Sequence, residues 1–208
     1  MTSTAPHVSY WNRHARNYDR SMALLGKPLP RMLQLVGEAV RGKERVLEVA
    51  AGTGLVTAVL AREAREVVAT DYAAAMVERL QQRIRDEALQ NVSAEQADLY
   101  ALRFEAHSFD AVVAANVLHL VPDLPAALAS LKRVVRPGGL LILPTFCHDE
   151  TKVSWVISRV LAATGFPGER RFTAASLTAA LESAGLRLER QETIPGTIPV
   201  RYAHGSAP

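Results

Sequence analysis

Residues 46–55 read Val-Leu-Glu-Val-Ala-Ala-Gly-Thr-Gly-Leu, a short apolar run that carries one acid and breaks into two closely spaced glycines. A strand that enters glycines and then a helix lets backbone approach a ligand and points the helix N-terminus at it. Thr57–Arg65, after the glycines, reads as that helix. Taken alone, the loop could also be a turn whose small residues serve packing. A dinucleotide fingerprint would place a third glycine or alanine three residues after Gly54, where this chain has Thr57, and asks for no acid such as Glu48 within the strand. The nicotinamide reading therefore loses ground. Asp71, at the end of the next strand and about twenty residues on, is placed where a carboxylate accepts both hydroxyls of a ribose.

Outward from this corner, strands alternate with helical patterns, the signature of a parallel sheet covered on both faces. Strands are expected at 45–49, 66–70, 92–96, 109–115 and 140–145, with helices at 31–41, 57–65, 74–87 and 125–135. Arg136-Pro137-Gly138-Gly139 reads as a helix stop. Further helices are expected at 151–164 and 173–184, the second with Thr173 as N-cap and Gly185 just past its end. Segments 186–193 and 198–203, around Pro195-Gly196, form an antiparallel hairpin joined to the sheet. The expected fold is α/β: a doubly wound, Rossmann-like sheet of about seven strands, mostly parallel with an antiparallel C-terminal strand and helices on both faces. One domain over 1–208 is the economical reading.

Composition bounds the function. The chain has 208 residues, 49% of them hydrophobic, and 24 basic against 21 acidic side chains for a net charge of +3. The charges are interspersed, with no basic block to track a phosphate backbone, so nucleic acid is not an expected partner. The single cysteine, Cys147, forms no internal disulfide and cannot alone hold zinc. No charge-free run of eighteen apolar residues occurs, and the first residues lack a signal peptide's apolar segment. A cytoplasmic protein with no integral membrane segment is expected, monomeric or homodimeric.

Four stretches, VLEVAAGTG (46–54), VVATDYAAAMVERL (67–80), AEQADLYALRFEAHSFDAVVAANVLHLVPD (94–123) and LKRVVRPGGLLIL (131–143), occur in the order and spacing of one family. Over about residues 30–145 the chain resembles the class I S-adenosylmethionine-dependent methyltransferases. The resemblance implies S-adenosylmethionine as cofactor and a role for each matching residue. Glu48 would orient the glycine loop and the methionine ammonium, and Ala50, Gly52 and Gly54 would form the loop around the methionine moiety. Ala50 stands where the family usually has glycine. Asp71 would bind the ribose hydroxyls, Tyr72 or Met76 would pack on the adenine, Asp98 would accept from the adenine amine and Leu99 would offer its backbone. Asn116 would flank the methionine portion, and Tyr18 resembles an N-terminal tyrosine that closes over the cofactor carboxylate. Met76 on an apolar helical stripe, and Tyr18 beside its helix, also read as packing residues.

The sulfonium already activates the methyl group, so the protein must position the acceptor, exclude water and, where needed, take a proton. No metal is expected, because the sequence holds no compact His/Asp/Glu ligand set. His119, after the fourth strand, is the first candidate base and His148, after the fifth, the second. For both, packing is the competing reading. Aromatic residues gather in residues 1–30 and 146–172, outside the common core, and these segments are expected to cap the acceptor site. A small organic acceptor is favoured. Asn116-Val117-Leu118-His119 departs from the Asn/Asp-Pro-Pro-aromatic motif that a resemblance to DNA amino-methyltransferases would need. The chain also resembles quinone-ring, phospholipid-headgroup and natural-product methyltransferases, which leaves methylation of O, N or C open, as well as a membrane-associated acceptor. Arg13, Arg16 and Arg20 lie at helical spacing, as a basic membrane-facing or a merely solvated helix would have them. A non-catalytic S-adenosylmethionine-binding protein that acts through a partner is the other alternative.

Overall fold

The computed structural model describes residues 5–25 and 28–207. Residues 1–4, 26 and 27 of the expected N-terminal cap lie outside the described residues. The chain runs α1 (Ala5–His14), α2 (Tyr18–Leu25), α3 (Pro28–Val40), β1 (Arg45–Val49), α4 (Thr57–Glu63), β2 (Glu66–Asp71), α5 (Ala74–Asp86), β3 (Val92–Gln96) and a 3-10 turn at Leu99–Ala101. It continues with β4 (Phe109–Val113), α6 (Leu124–Val134), β5 (Val135–Ile142), β6 (Thr145–Phe146), α7 (Lys152–Ala163), α8 (Ala174–Ser183), β7 (Arg187–Ile194) and β8 (Val200–Ser206).

The strands form one sheet in the order β3-β2-β1-β4-β5-β8-β6, with β7 paired to β8. From β3 to β5 every neighbour is parallel, and β8 runs antiparallel to β5, β6 and β7. The sheet has eight strands instead of about seven because Pro144 ends the expected fifth strand early. Thr145 and Phe146 then pair separately with Arg201 and Val200 of β8.

Alternation along β1 builds two cores. Val46 turns to a cluster with Met32, Leu35, Val36 and Leu60 of α3 and α4, while Leu47 and Val49 turn to one with Leu128, Leu131, Leu177 and Leu181 of α6 and α8. A strand buried on both faces lacks the apolar–polar alternation of a half-exposed one, which is why 46–49 read as a continuous apolar run around one acid. Thr151 and Thr173 each cap their helix in a reciprocal pair with the serine three residues on, and Gly185 takes a φ of 82° just past α8.

Two local readings change. Residues 136–139 belong to β5, since Gly138 and Gly139 bond to both sides of Ala207. The N-terminal arginines do not share one helix, because Ala15–Asn17 form a turn between α1 and α2. Among the described residues no helix is long and apolar enough to cross a membrane.

Candidate active site

The strand order reverses between β1 and β4, the place where doubly wound folds open a crevice at their carboxyl edge. The loop after β1 there has three left-handed residues: Ala50 (φ 53°), Gly52 (φ 58°) and Gly54 (φ 88°). Ala50 thus holds the conformation a glycine adopts freely, at a cost of about 1 kcal/mol for its Cβ. Gly52 lines the cavity, but Gly54 does not. A Cβ on Gly54 would sit 2.8 Å from Leu80 Cδ1 and 3.1 Å from Arg83 Cδ, so this glycine seats the loop on α5. Gly54→Ala is expected to cost about 2 kcal/mol in chemical denaturation, from strain and overlap together.

Three carboxylates surround the loop. Glu48 is buried beneath it, outside the cavity wall, and its Oε2 accepts from Thr57 Oγ1 at 2.5 Å. Burial pushes its carboxyl up to about 8, with the Thr57 hydrogen bond opposing and the charge of Asp71 adding to the rise. Asp71 accepts from the Gly52 amide at 2.8 Å and the Ala73 amide at 2.9 Å, and burial raises its pKa. It therefore clamps the glycine loop to the end of β2 while facing the cavity. Asp98 starts the 3-10 turn by accepting from the Tyr100 amide at 2.9 Å, and it too lines the cavity, with Leu99.

The cavity measures about 470 Å³, within the range of about 300–1,000 Å³ usual for small-ligand sites. Of the expected cofactor residues, Tyr18, Ala50, Gly52, Asp71, Tyr72, Met76, Asp98, Leu99 and Asn116 line it. Met76 also packs with Ala15 and Ala73, so both readings of this residue describe its surroundings. Asn116 has a φ of 53°; its Nδ2 reaches Met32 Sδ at 3.6 Å, and its buried Oδ1 has no partner among the described residues. Helices α1 and α2 bring Tyr10, Trp11 and Tyr18 to the wall. Burial, with Asp71, Asp19 and Glu48 nearby, raises the Tyr18 phenol.

Sequence reasoning missed the fastening of this cover. Asp19 of α2 accepts from Thr53 Oγ1 in the glycine loop and from Arg83 Nη2 at 2.6 Å, and Arg83 Nε donates to the Thr53 carbonyl at 2.8 Å. Asp19 stands beside Tyr18 in the sequence, but Arg83 lies on a helix face that spacing alone marks as solvated.

The two candidate bases meet on the wall of the same cavity. The rings of His119 and His148 are 5.0 Å apart, Phe166 lies parallel to His119 at 6.1 Å, and Phe146 meets it edge-on at 5.9 Å. Both imidazoles are buried. Burial and the neighbouring His148 hold His119 well below its ordinary pKa; burial and Arg171 take His148 to about 4, against Asp149. Both are therefore neutral at physiological pH. Cys147 is fully buried and its thiol is pushed up to about 12, chiefly by desolvation, so it is inert.

Fold and cleft together define a doubly wound α/β protein with a ligand cavity at its switch point. Residues 47–143 match the methyltransferase domain family. The chain is 37% identical over 134 residues to the malonyl-[acyl-carrier protein] O-methyltransferase of Halorhodospira halophila, covering 64% of this chain and 45% of that protein. It is 37% identical over 111 residues to the ubiquinone/menaquinone biosynthesis C-methyltransferase of Pectobacterium carotovorum, covering 51% and 44%. This chain thus spans less than half the length of either relative. The solved structure of the DhpI–SAM–HEP complex superposes with a TM-score of 0.75 at 25% identity, over 98% of this chain and 99% of that one. Together these matches support a class I S-adenosylmethionine-dependent methyltransferase domain over residues 47–143, with S-adenosylmethionine as its cofactor.

Proposed function

We propose that the protein transfers a methyl group from S-adenosylmethionine to a nucleophilic oxygen, nitrogen or carbon of a small organic acceptor, by in-line displacement without a metal. The observation that carries this reading is one cavity lined both by Asp71 with the glycine loop and by the paired imidazoles of His119 and His148. When bound, the cofactor supplies a methyl group already activated by its sulfonium, so alignment and desolvation are what the chain must add.

Asp71 has lone pairs left beyond its bonds from backbone amides for the ribose hydroxyls. Tyr72 and Met76 offer apolar surface to the adenine, and Asp98 with the Leu99 backbone reads its edge. The unpartnered Asn116 Oδ1 suits a donor such as the methionine ammonium, which Glu48 would stabilise from below the loop. Tyr18 and the α1–α2 cover exclude water. The described residues of the N-terminal helices and residues 146–172 bound the acceptor, and neutral His119 or His148 can take its proton.

Calorimetric titration with S-adenosylmethionine, S-adenosylhomocysteine and NADH tests the proposal. Binding of the first two and not the third is the expected result; binding of NADH alone would overturn it.

A further inference from the structure

The hydrogen bonds around His148 favour one of its two nitrogens as the proton's place. Ser158 of α7 makes three contacts through Oγ: 2.6 Å to the Ser154 carbonyl, 2.7 Å to His148 Nδ1 and 3.3 Å to the His148 carbonyl. A hydroxyl has one hydrogen to donate. Two oxygens at 2.6 Å repel unless that hydrogen lies between them, so it belongs to the bond with Ser154. The Nδ1 contact is then favourable only if Nδ1 is the donor and Ser158 Oγ the acceptor. Nε2 is left bare, buried at the cavity wall and without a partner among the described residues. A buried lone pair with no donor marks the place of a ligand's hydrogen.

Resting on the methyltransferase reading, we infer that Ser158 is a positioning residue that locks His148 in its Nδ1–H form, so that Nε2 accepts the proton of a neutral, hydroxyl-bearing acceptor. This reverses the order of the two histidines as candidate bases. The acceptor belongs to the aromatic or apolar alcohols, since Phe146, Phe166, Leu161 and Ile198 line the same cavity. An acceptor that arrives as a carboxylate or phosphonate anion has no proton for Nε2 and would place charge against its lone pair.

The step balances. The acceptor oxygen forms its bond to the methyl carbon as the carbon–sulfur bond breaks and that pair goes to sulfur; the O–H proton passes to Nε2 and leaves with water after product release. As the oxygen is alkylated, its proton changes from weakly to strongly acidic, so a weak base suffices. Arg171 nearby and burial discourage the imidazolium from persisting, while Asp149 opposes them.

Nitrogen-15 spectra of the imidazoles at neutral pH read the tautomer with no ligand present. His148 is expected to show a protonated Nδ1 and a bare Nε2, retained in Ser158→Thr and lost to a mixture in Ser158→Ala. The opposite tautomer in the parent protein, or no change in Ser158→Ala, would overturn the inference. The acceptor class is read by titrating the S-adenosylhomocysteine complex with 2-naphthol and 2-naphthoate. At least about tenfold tighter binding of the alcohol is expected; equal or tighter binding of the carboxylate, or binding of neither, rejects it. Failure of S-adenosylhomocysteine to bind would instead remove the methyltransferase reading and leave the tautomer result standing.

Discussion

Asp71→Ala is expected to weaken S-adenosylmethionine binding at least about tenfold, on the order of 1.4 kcal/mol, and to lower unfolding stability by about 1–2 kcal/mol. The two losses have different origins. The first is the ribose contact proposed for the carboxylate. The second follows because the Gly52 and Ala73 amides lose their acceptor when the side chain is cut back. Relief of the buried charge limits that second loss, because desolvation raises the Asp71 pKa. Asp71→Asn separates them: one oxygen remains for a loop amide, so stability falls less while affinity still drops. Calorimetry beside urea denaturation checks both, and unchanged affinity in Asp71→Ala would remove the ribose assignment.

Glu48→Gln is expected to flatten the protein's stability against pH. The Glu48 carboxyl moves from 4.5 to about 8 on folding, so the folded state binds a proton more tightly than the unfolded state. No penalty exists below about pH 4.5; as pH rises from there to about 8 the parent protein loses stability relative to the variant, on the order of 5 kcal/mol in all. Above that the difference is constant. Because Glu48 is protonated at neutral pH in the free protein, pairing it with the cofactor's ammonium should expel that proton. The heat of S-adenosylmethionine binding should then vary with the ionisation enthalpy of the buffer in the parent and not in the variant. Parallel stability profiles for the two proteins would show that Glu48 is ionised when buried.

The parts legible from sequence are those where local chemistry and tertiary demand agree. Asp71 ends a strand and starts a helix within three residues, and Thr173 and Gly185 bracket α8 as cap and terminator because such signals act over one turn. Gly54 was legible as part of the loop, while the packing it also serves was not: only the tertiary structure brings Leu80 close enough to bar a Cβ there. Pro137, Gly138 and Gly139 have the local preferences of a turn, yet they extend β5 because the C-terminal end of the chain supplies hydrogen-bond partners at Ala207.

What the sequence by itself determined was the alternation of strand and helix, the corner at 46–55 with its acid, and Asp71 at the next strand's end, since burial on both faces of a parallel sheet and the turn into a helix each leave a short-range mark. The tertiary structure alone decided the meeting of His119 with His148, the protonation pattern that Ser158 imposes, and the Asp19–Arg83 fastening of the cover. Those groups lie on separate elements whose distance depends on how the helices pack over the sheet edge, and no periodicity along the chain encodes a contact between them.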